Sequence, residues 1–248
     1  MAYDPRTYWS RVAQEIESRG NGNVVAGDDT PFYRYQRAQF VSRFLLRMPI
    51  HQRSVLEIGC GPGGNLKALG PLLPSRRVGC DISSSMVELA TRNAGVECVL
   101  IDGITLPFQD REFDVTFTVT VLQHNPRPMM HTLLRDVCRV TREWMYLFED
   151  TGEPSEAYSM FTRRPSDYSS VCEREGFVLR QVTYLDVGIS ERVCNTLMGR
   201  LNRKDRKEGE PLTRWSTLAE SLVLPFTRVA DRFIRRNSGL TLISLRRT

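Results

Sequence analysis

A glycine-rich turn directly after a short apolar strand is the feature of this sequence best suited to binding an anionic or electron-rich ligand. Glu57 lies in the strand, and the glycines recur with the spacing Gly59-x-Gly61-x-x-Gly64. Because glycine has no Cβ and tolerates positive φ, such a turn lets the backbone approach a ligand closely. The helix that follows would direct its first amides at the same ligand. The spacing therefore predicts a binding loop of a kind also found in dinucleotide sites.

Two acids and a histidine follow later apolar segments in a similar way. Asp81 ends the segment 77–81 at the distance expected for an acid that accepts hydrogen bonds from ribose hydroxyls. Asp102 follows the next apolar segment, and His124 comes shortly after the one at 113–119. A histidine titrates near neutral pH, so His124 is the candidate catalytic base. The rival interpretation is that it orients a loop or only contacts substrate.

The elements that must position these residues alternate between strand and helix patterns. We predict strands at 53–58, 77–81, 96–101, 113–119, 144–148, 177–187 and 240–245. We predict helices at 5–18, 32–47, 63–70, 127–140 and 165–174. In open α/β sheets ligands bind beyond the carboxyl ends of the strands, which is where the turn, the acids and the histidine would lie.

Four of these segments, in this order, resemble the motifs of the class I S-adenosylmethionine-dependent methyltransferases. The first is E-x-G-x-G within 55–65, and the second is the strand that ends at Asp81. The segment 96–103 resembles the strand and acid that read the adenine, and 113–124 resembles the family segment that ends in L-x-H. The resemblance is specific from Arg53 to His124, general as far as Phe177 and weak afterwards, and residues 139–144 differ from the tight L-K-P-G-G turn of many relatives.

The resemblance implies an α/β, three-layer, Rossmann-like methyltransferase fold. Its seven-stranded sheet would be mostly parallel, with an antiparallel last strand inserted between strands five and six. We expect one domain over 1–248. It would comprise an N-terminal helical cap (1–50), a cofactor-binding core (51–188), a basic helical insertion between strands six and seven (189–238) and the last strand (239–248).

The resemblance also implies S-adenosylmethionine as cofactor and S-adenosylhomocysteine as product. The residues it places against the cofactor are Tyr33, Arg37, Glu57, Gly59, Cys60, Gly61, Gly64, Asn65, Asp81, Ile82, Met86, Asp102, Gly103, Ile104, Val119 and His124. In related enzymes an N-terminal segment covers the methionine end of the cofactor, and Tyr33, Tyr35 and Arg37 are the candidates for that role. The alternative is that their helix merely packs on the sheet. Weaker candidates for the base are Glu149, Asp150 and Tyr158.

Composition and charge limit the remaining possibilities. The chain has 248 residues and is 41% apolar. It shows no apolar run of the ~18 residues that a membrane span requires. The N-terminus lacks a secretory pattern, so we expect a cytoplasmic protein without stable membrane insertion. Six scattered cysteines without a C-x-x-C pair favour reduced thiols, and we expect no metal site.

The basic character is concentrated towards the end of the sequence. Residues 189–248 hold 13 Lys/Arg and 6 Asp/Glu, a balance of +7, which leaves −2 for residues 1–188. Such an excess suggests an anionic substrate, a phosphate or a membrane surface. The insertion has two amphipathic stretches, one at Trp215 and one starting at Pro225. We predict a substrate-recognition lid, with a solvated helical cap as the alternative. Membrane-surface adsorption is disfavoured because the apolar stripe is short and broken at Pro225.

We therefore predict a methyltransferase that acts on an O or N atom of a small molecule of the sugar, quinone or natural-product type, including an anionic one. An RNA methyltransferase that uses the basic insertion is an alternative. It is disfavoured because Thr118-Val119-Thr120-Val121 stands where many base-amino methyltransferases carry an N/D-P-P-aromatic tetrapeptide. A non-methylating enzyme and a non-catalytic cofactor-binding protein on the same fold also remain open. We expect a monomer or homodimer.

Overall fold

A mixed β-sheet with helices on both faces forms the centre of the computed structural model. The structure describes residues 4–20, 24–157, 160–207, 210–234 and 238–248. Its strands are β1 (Ser54–Ile58), β2 (Arg76–Asp81), β3 (Glu97–Leu100), β4 (Phe113–Val119), β5 (Thr141–Thr151), β6 (Ser155–Ala157), β7 (Met160–Thr162), β8 (Phe177–Tyr184) and β9 (Gly239–Arg247). Its helices are α1 (Pro5–Ser18), α2 (Pro31–Arg43), α3 (Gly64–Leu69), α4 (Ser84–Ala94), α5 (Arg127–Val140), α6 (Pro165–Arg174), α7 (Gly188–Leu201) and α8 (Arg214–Asp231).

The strand order of the main sheet is β3-β2-β1-β4-β5-β9-β8. The pairs from β3 to β5 are parallel, whereas β9 is antiparallel to both β5 and β8. This confirms the expected α/β fold, including the insertion of the last strand next to β5. The chain order reverses between β1 and β4, so the ends of these two strands flank the crevice in which such sheets bind ligands.

The apolar run of β1 is buried because the strand lies in the middle of the sheet and is covered on both faces. Leu56 and Ile58 pack into a cluster that contains the apolar side of α5. Val55 points to the opposite face, where α2 and α8 contribute to a second cluster. Glu57 is equally buried although it is an acid, with 1% of its surface exposed. A buried acid in a central strand indicates a function other than packing.

The two N-terminal helices begin where the sequence predicts. Asp4 Oδ2 accepts a hydrogen bond of 3.1 Å from the amide of Thr7 at the start of α1. Thr30 Oγ1 accepts one of 3.0 Å from the amide of Tyr33 at the start of α2. Each helix has proline at its first position, where no amide hydrogen is needed. Helix α1 packs through Val12, Ala13 and Ile16 against α4, at the carboxyl edge of the sheet.

The region between β8 and β9 differs from the prediction in an instructive way. Helix α7 occupies its first part, so the preceding strand ends at Tyr184 rather than at residue 187. The predicted break at Pro225 is wrong, because α8 continues through Pro225 from Arg214 to Asp231. Proline removes one helical hydrogen bond there. Buried residues of α8 on both sides of Pro225 hold the helix in place.

Other differences are smaller. Strand β5 begins at Thr141, three residues earlier than predicted, because Phe113 and Thr141 already pair across β4 and β5. Helix α2 ends at Arg43, and a short 3-10 turn follows. The hairpin of β6 and β7 was not predicted. Among the described residues, no helix combines the length and the apolar character that a membrane crossing would need.

Candidate active site

The turn between β1 and α3 forms one wall of a cavity at the carboxyl edge of the parallel strands. Gly61 has a φ of +50°, and a Cβ built there would meet nothing within 4 Å, so this position is open to the cavity. Gly59 has a φ of +68°, and a Cβ there would lie 2.4 Å from a methyl carbon of Val121. Glycine at position 59 therefore lets the turn approach the loop after β4 closely.

A first cavity of about 500 Å³ is formed by this turn and the ends of β2, β3 and β4. The residues in its wall that were predicted to contact a cofactor are Gly59, Gly61, Asp81, Ile82, Met86, Asp102, Gly103, Val119 and His124. Ile58, Ile101 and Leu133 add apolar surface. Side chains from four separate strand ends thus line one mostly apolar space. They contribute two carboxylates, Asp81 and Asp102, in addition to Asp4 before α1.

These two carboxylates are held by backbone amides in different surroundings. Asp81 is buried, and its two oxygens accept hydrogen bonds from the amides of Gly61 at 2.9 Å and Ser83 at 3.0 Å. Burial raises the pKa of Asp81 above its usual value, and the amides act against that rise. Asp102 is exposed, and hydrogen bonds from the amides of Thr105 and Ile104 lower its pKa. Asp81 therefore also fixes the glycine turn.

A second cavity of about 390 Å³ lies between the same turn and the N-terminal segment. The predicted residues that line this cavity and not the first are Tyr33, Arg37, Glu57, Cys60, Gly64 and Asn65. Arg37 donates a hydrogen bond of 2.9 Å to Asn65 Oδ1, and Asn65 Nδ2 donates one of 2.7 Å to Glu57 Oε1. A chain of polar groups thus connects α2 to the strand that precedes the turn.

Glu57 ends this chain with one oxygen unsatisfied. Its Oε2 is buried and has no hydrogen-bond partner among the described residues. Burial raises the pKa of Glu57 to about 8, and the hydrogen bond from Asn65 and the charge of Arg37 oppose that rise. A buried acceptor of this kind is costly unless a donor reaches it. The geometry therefore favours a ligand that brings a donor, and above all a cation, to Oε2.

The two cavities meet at a common set of residues. Those that line both are Trp9, Ala26, Gly59, Gly61, Val119, Thr120 and His124. An elongated ligand could therefore extend across the glycine turn, with one end near Asp81 and the other near Glu57. His124 stands at the junction of the two spaces.

His124 lies in a short 3-10 turn after β4, next to a polar pair in the second cavity. Its ring contacts the Trp9 ring edge-on, with 5.4 Å between the centroids. Gln123 Oε1 accepts a hydrogen bond of 2.7 Å from the Asp150 amide, and the Asp150 carboxylate lines the same cavity as His124. Burial raises the pKa of Asp150, and the charge of His124 opposes that rise. Two groups able to accept a proton therefore face one space.

A buried carboxylate at the end of β5 holds the loop that carries His124. Glu149 is fully buried and accepts hydrogen bonds from the Thr118 hydroxyl at 2.7 Å and from the amides of Val121 and Gln123, both at 3.2 Å. Burial raises the pKa of Glu149 to about 7. Thr120, within this loop, has a φ of +55°, a conformation that costs a non-glycine residue energy. The loop geometry is therefore imposed by its surroundings.

Some predicted residues lie elsewhere, and some lining residues were not predicted. Ile104 lines neither cavity, although its amide binds Asp102. Tyr35 packs under the Arg228 guanidinium at 4.3 Å, away from both cavities, and Tyr158 lies outside the described residues. Trp9 lies in the predicted helix 5–18 but was not predicted to line the site, because nothing in its local sequence indicates contact with a loop more than 100 residues later. Nothing in the local sequence indicated that Thr120 and Gln123 line the site either.

Comparison with known proteins identifies the central part of the chain. Residues 55–143 match the model of a methyltransferase domain family. Over 70 residues, the chain is 39% identical to "Probable tRNA methyltransferase 9B" of Homo sapiens, a match that covers 28% of this chain and 14% of that protein. Over 109 residues it is 32% identical to "Fatty-acid O-methyltransferase" of Mycolicibacterium smegmatis, which covers 42% of this chain and 39% of the relative. The chain thus spans less than half the length of these curated relatives.

A solved structure resembles the chain over nearly its whole length. Magnesium protoporphyrin IX methyltransferase of Synechocystis PCC 6803, with bound S-adenosylhomocysteine, superposes with a TM-score of 0.65 and 13% sequence identity. The superposition covers 98% of both chains, and at this identity it establishes the fold. The family match over the glycine turn and the shared fold lead to the same assignment. Residues 55–143 of this chain form a methyltransferase domain, within a chain that has the fold of the class I S-adenosylmethionine-dependent methyltransferases.

Proposed function

We propose that this protein transfers the methyl group of S-adenosylmethionine to an O or N atom of a small molecule of the sugar, quinone or natural-product type. The observation that carries the proposal is the pair of cavities that meet at His124. One cavity has the features of a nucleoside site. The other has a buried acid near the glycine turn and proton acceptors near the junction.

The residues of the first cavity fit the adenosine part of the cofactor. Asp81 remains an acceptor towards the ribose hydroxyls in addition to its two backbone hydrogen bonds, because each carboxylate oxygen accepts more than one. Ile82 and Met86 supply apolar walls for a base, and Asp102 lies at the rim of the same space. Gly61 adds a surface without a side chain. This donor and acceptor set is the one that a ribonucleoside requires.

The residues of the second cavity fit the amino-acid part. Glu57 Oε2 lacks a partner and would pair with the cofactor's ammonium group. Arg37 lies in the wall of the same cavity and is suited to the carboxylate, since its guanidinium presents several donors. The ammonium group of the cofactor would thus supply the hydrogen-bond donor that Glu57 Oε2 lacks.

The cofactor's sulfonium supplies an electrophilic methyl group, and this chain's residues position the acceptor and remove its proton. His124 would take the proton from an acceptor hydroxyl or ammonium, and Asp150, which shares its cavity, would stabilise the imidazolium that forms. Trp9 and Phe40 contribute apolar walls that exclude water.

The size of the second cavity favours a small acceptor. A volume of about 390 Å³ lies within the range of small-molecule sites, and part of this space would hold the cofactor's amino-acid end. Met160 and Leu240 line it with apolar surface, while Gln123 offers hydrogen bonds. The name of the fatty-acid O-methyltransferase describes a small acceptor for that relative. The likeness to the tRNA methyltransferase covers 28% of this chain and 14% of that protein.

The proposal is tested by following a labelled methyl group. The purified protein is incubated with methyl-labelled S-adenosylmethionine and fractionated cell extract, and label is counted in small-molecule, lipid, protein and RNA pools. Gly61→Arg is the control, because its side chain would fill the open space at this turn. Label in the small-molecule or lipid pool, absent with Gly61→Arg, supports the proposal. Label in RNA, or retained cofactor binding without transfer to any pool, overturns it.

A further inference from the structure

Helix α8 has its polar face inside and its apolar face outside, the reverse of an ordinary surface helix. The residues of α8 that are buried against the rest of the protein are Ser216, Glu220, Leu224, Thr227 and Asp231, of which only leucine is apolar. In a typical amphipathic helix the apolar stripe faces the core. The inverted pattern therefore requires an explanation beyond folding.

The buried polar face is fixed by hydrogen bonds, so the orientation of α8 is well determined. Glu220 Oε2 accepts a hydrogen bond of 3.1 Å from the amide of Phe32, at the start of α2. Asp231 accepts from the Ile189 amide at 2.8 Å and from the Ser190 hydroxyl at 2.5 Å, at the start of α7. Rotating the helix to bury its apolar side would leave these carboxylates without their partners.

The outward side of α8 and its C-terminal turn forms what we call the α8 stripe. It consists of Trp215, Leu218, Leu222, Phe226, Val229 and Phe233, all exposed. At 3.6 residues per turn these positions fall within about 80° of arc, so they form one continuous band. Trp215, Phe226 and Phe233 are 73%, 77% and 80% exposed, and they lie in one band instead of being scattered singly over the surface. A contiguous band of this kind marks an interaction site.

Positive charge follows one edge of the α8 stripe. The exposed charged residues of α8 and its C-terminal turn are all arginines, namely Arg214, Arg228 and Arg232, whereas Glu220 and Asp231 are buried. A groove of about 790 Å³ between α2 and α8 has Arg34, Arg43, Arg228 and Arg232 in its wall, together with Asp186 and Asp231. Arg34 pairs with Asp29, and Asp231 is engaged by α7. The groove is therefore suited to an anionic group.

We propose that α8 binds the surface of a membrane that contains anionic phospholipids, with the α8 stripe among the acyl chains and the arginine edge against the phosphates. A helix with Trp, Phe and Leu on one face and Arg beside them has the composition of an interfacial helix. Such a helix lies in the membrane surface without crossing it. The inference does not depend on which molecule accepts the methyl group.

Charge argues against the other occupants of this face. If a second copy bound through an antiparallel pair of α8 helices, the arginine edge of one helix would lie beside that of the other. This would place like charges together. RNA would use the arginines but would leave the broad apolar band unsatisfied. An anionic lipid surface satisfies both features at once.

The test uses the full chain and vesicles of two compositions. Large unilamellar vesicles of phosphatidylcholine alone, or with about 30 mol% phosphatidylglycerol, are sedimented with the protein at low and high salt. We expect at least about tenfold tighter binding to the anionic vesicles, weakened by salt. The variant Trp215→Ser/Phe226→Ser/Phe233→Ser should lose at least about tenfold in binding. Leu73→Ser, a change at a 66% exposed apolar residue outside α8, should bind like the wild type.

Insertion of the stripe is measured by tryptophan fluorescence with brominated acyl chains. Quenching should occur and should be markedly reduced in Trp215→Phe, which retains Trp9 and Trp144. Circular dichroism checks that each variant is folded. Absence of binding to anionic vesicles, binding that the triple variant retains, or unquenched Trp215 overturns the proposal. If the protein does not bind vesicles, two other results would also overturn the proposal. One is a dimer of the wild type that dissociates in the triple variant, and the other is binding to RNA.

Discussion

Glu149 accepts a hydrogen bond of 3.2 Å from the amide of Gln123, the residue directly before His124. Through this bond and two others, a carboxylate at the end of β5 sets the path of the loop after β4. The candidate base is therefore positioned by a group that does not line either cavity.

Replacement of this carboxylate should separate catalysis from cofactor binding. In Glu149→Gln one side-chain oxygen becomes an NH₂ group, which cannot accept from a backbone amide, so the loop loses part of its support. We expect the turnover number to fall by about 10-fold or more, with the S-adenosylhomocysteine dissociation constant changed less than about threefold. Initial rates and calorimetry measure the two quantities. Glu153→Gln, at an exposed acid after β5, should change neither, and an equal loss in both would argue against positioning.

The stability of the ligand-free protein should decrease as the pH rises from about 4.5 through 7. The pKa of Glu149 is about 7 in the fold and 4.5 in the unfolded chain, so between these values the folded state holds a proton that the unfolded state has lost. The stabilisation is complete below pH 4.5 and is lost as the pH rises through 7. It amounts to about 3 kcal/mol for this shift. Urea unfolding at several pH values should show a smaller decrease in Glu149→Gln. A wild-type profile that is flat would contradict the assignment.

Loss of His124 should reduce turnover far more than cofactor affinity. Removal of a general base typically costs 10²- to 10⁴-fold, and we expect His124→Ala to lie in the lower part of this range. The effect on S-adenosylhomocysteine affinity should remain within about threefold, since His124 stands at the junction of the cavities. His131→Ala, in α5, is the control. If both quantities fall equally, His124 is a binding residue and not the base.

Cofactor binding near pH 7 should release a proton from Glu57. With a pKa of about 8 the carboxyl is mostly protonated before binding, and pairing with an ammonium group favours the ionised form. Calorimetry of S-adenosylhomocysteine binding in two buffers with different ionisation enthalpies measures the proton count. Glu57→Gln should abolish the release and weaken binding by about 10-fold or more. Proton release that persists in this variant would assign the proton to another group.

Asp81→Ala should weaken cofactor binding without preventing folding. The change removes an acceptor for the ribose hydroxyls and also frees the Gly61 amide, which Asp81 holds at 2.9 Å. Hydrogen bonds of charged groups contribute about 1.5–3 kcal/mol, so the dissociation constant should rise by about 10- to 100-fold. Asp110→Ala, at an exposed acid, should bind as the wild type does. Unchanged calorimetric affinity in Asp81→Ala would remove this residue from the site.

The fold and the glycine-turn part of the site could be predicted because their signals are local. The spacing of Gly59 and Gly61, and the acids that end or follow neighbouring strands, lie within short segments whose geometry follows from strand and turn rules. Parallel strands then bring Asp81 and Asp102 to one edge, as the topology confirms.

The parts that could not be predicted depend on contacts between distant segments. Trp9 reaches His124 only because α1 packs on α4, and Glu149 holds the His124 loop only because β4 and β5 are neighbours. The continuity of α8 was missed for another reason. Pro225 is a helix breaker locally, and the anchors that override it, Glu220 and Asp231, bind residues of other helices.

The position of β9 between β5 and β8 has a consequence for synthesis on the ribosome. Strand β8 hydrogen-bonds to β9 within the main sheet, and β9 begins only after α7 and α8 have been made. As the chain emerges from the ribosome, β1 to β5 can assemble, but the free edge of β5 remains unpaired until β9, which follows the insertion in sequence, has been synthesised. The nascent protein therefore exposes the unpaired edge of β5 for the time needed to translate residues 152–238, and during this interval chaperones would have most to protect.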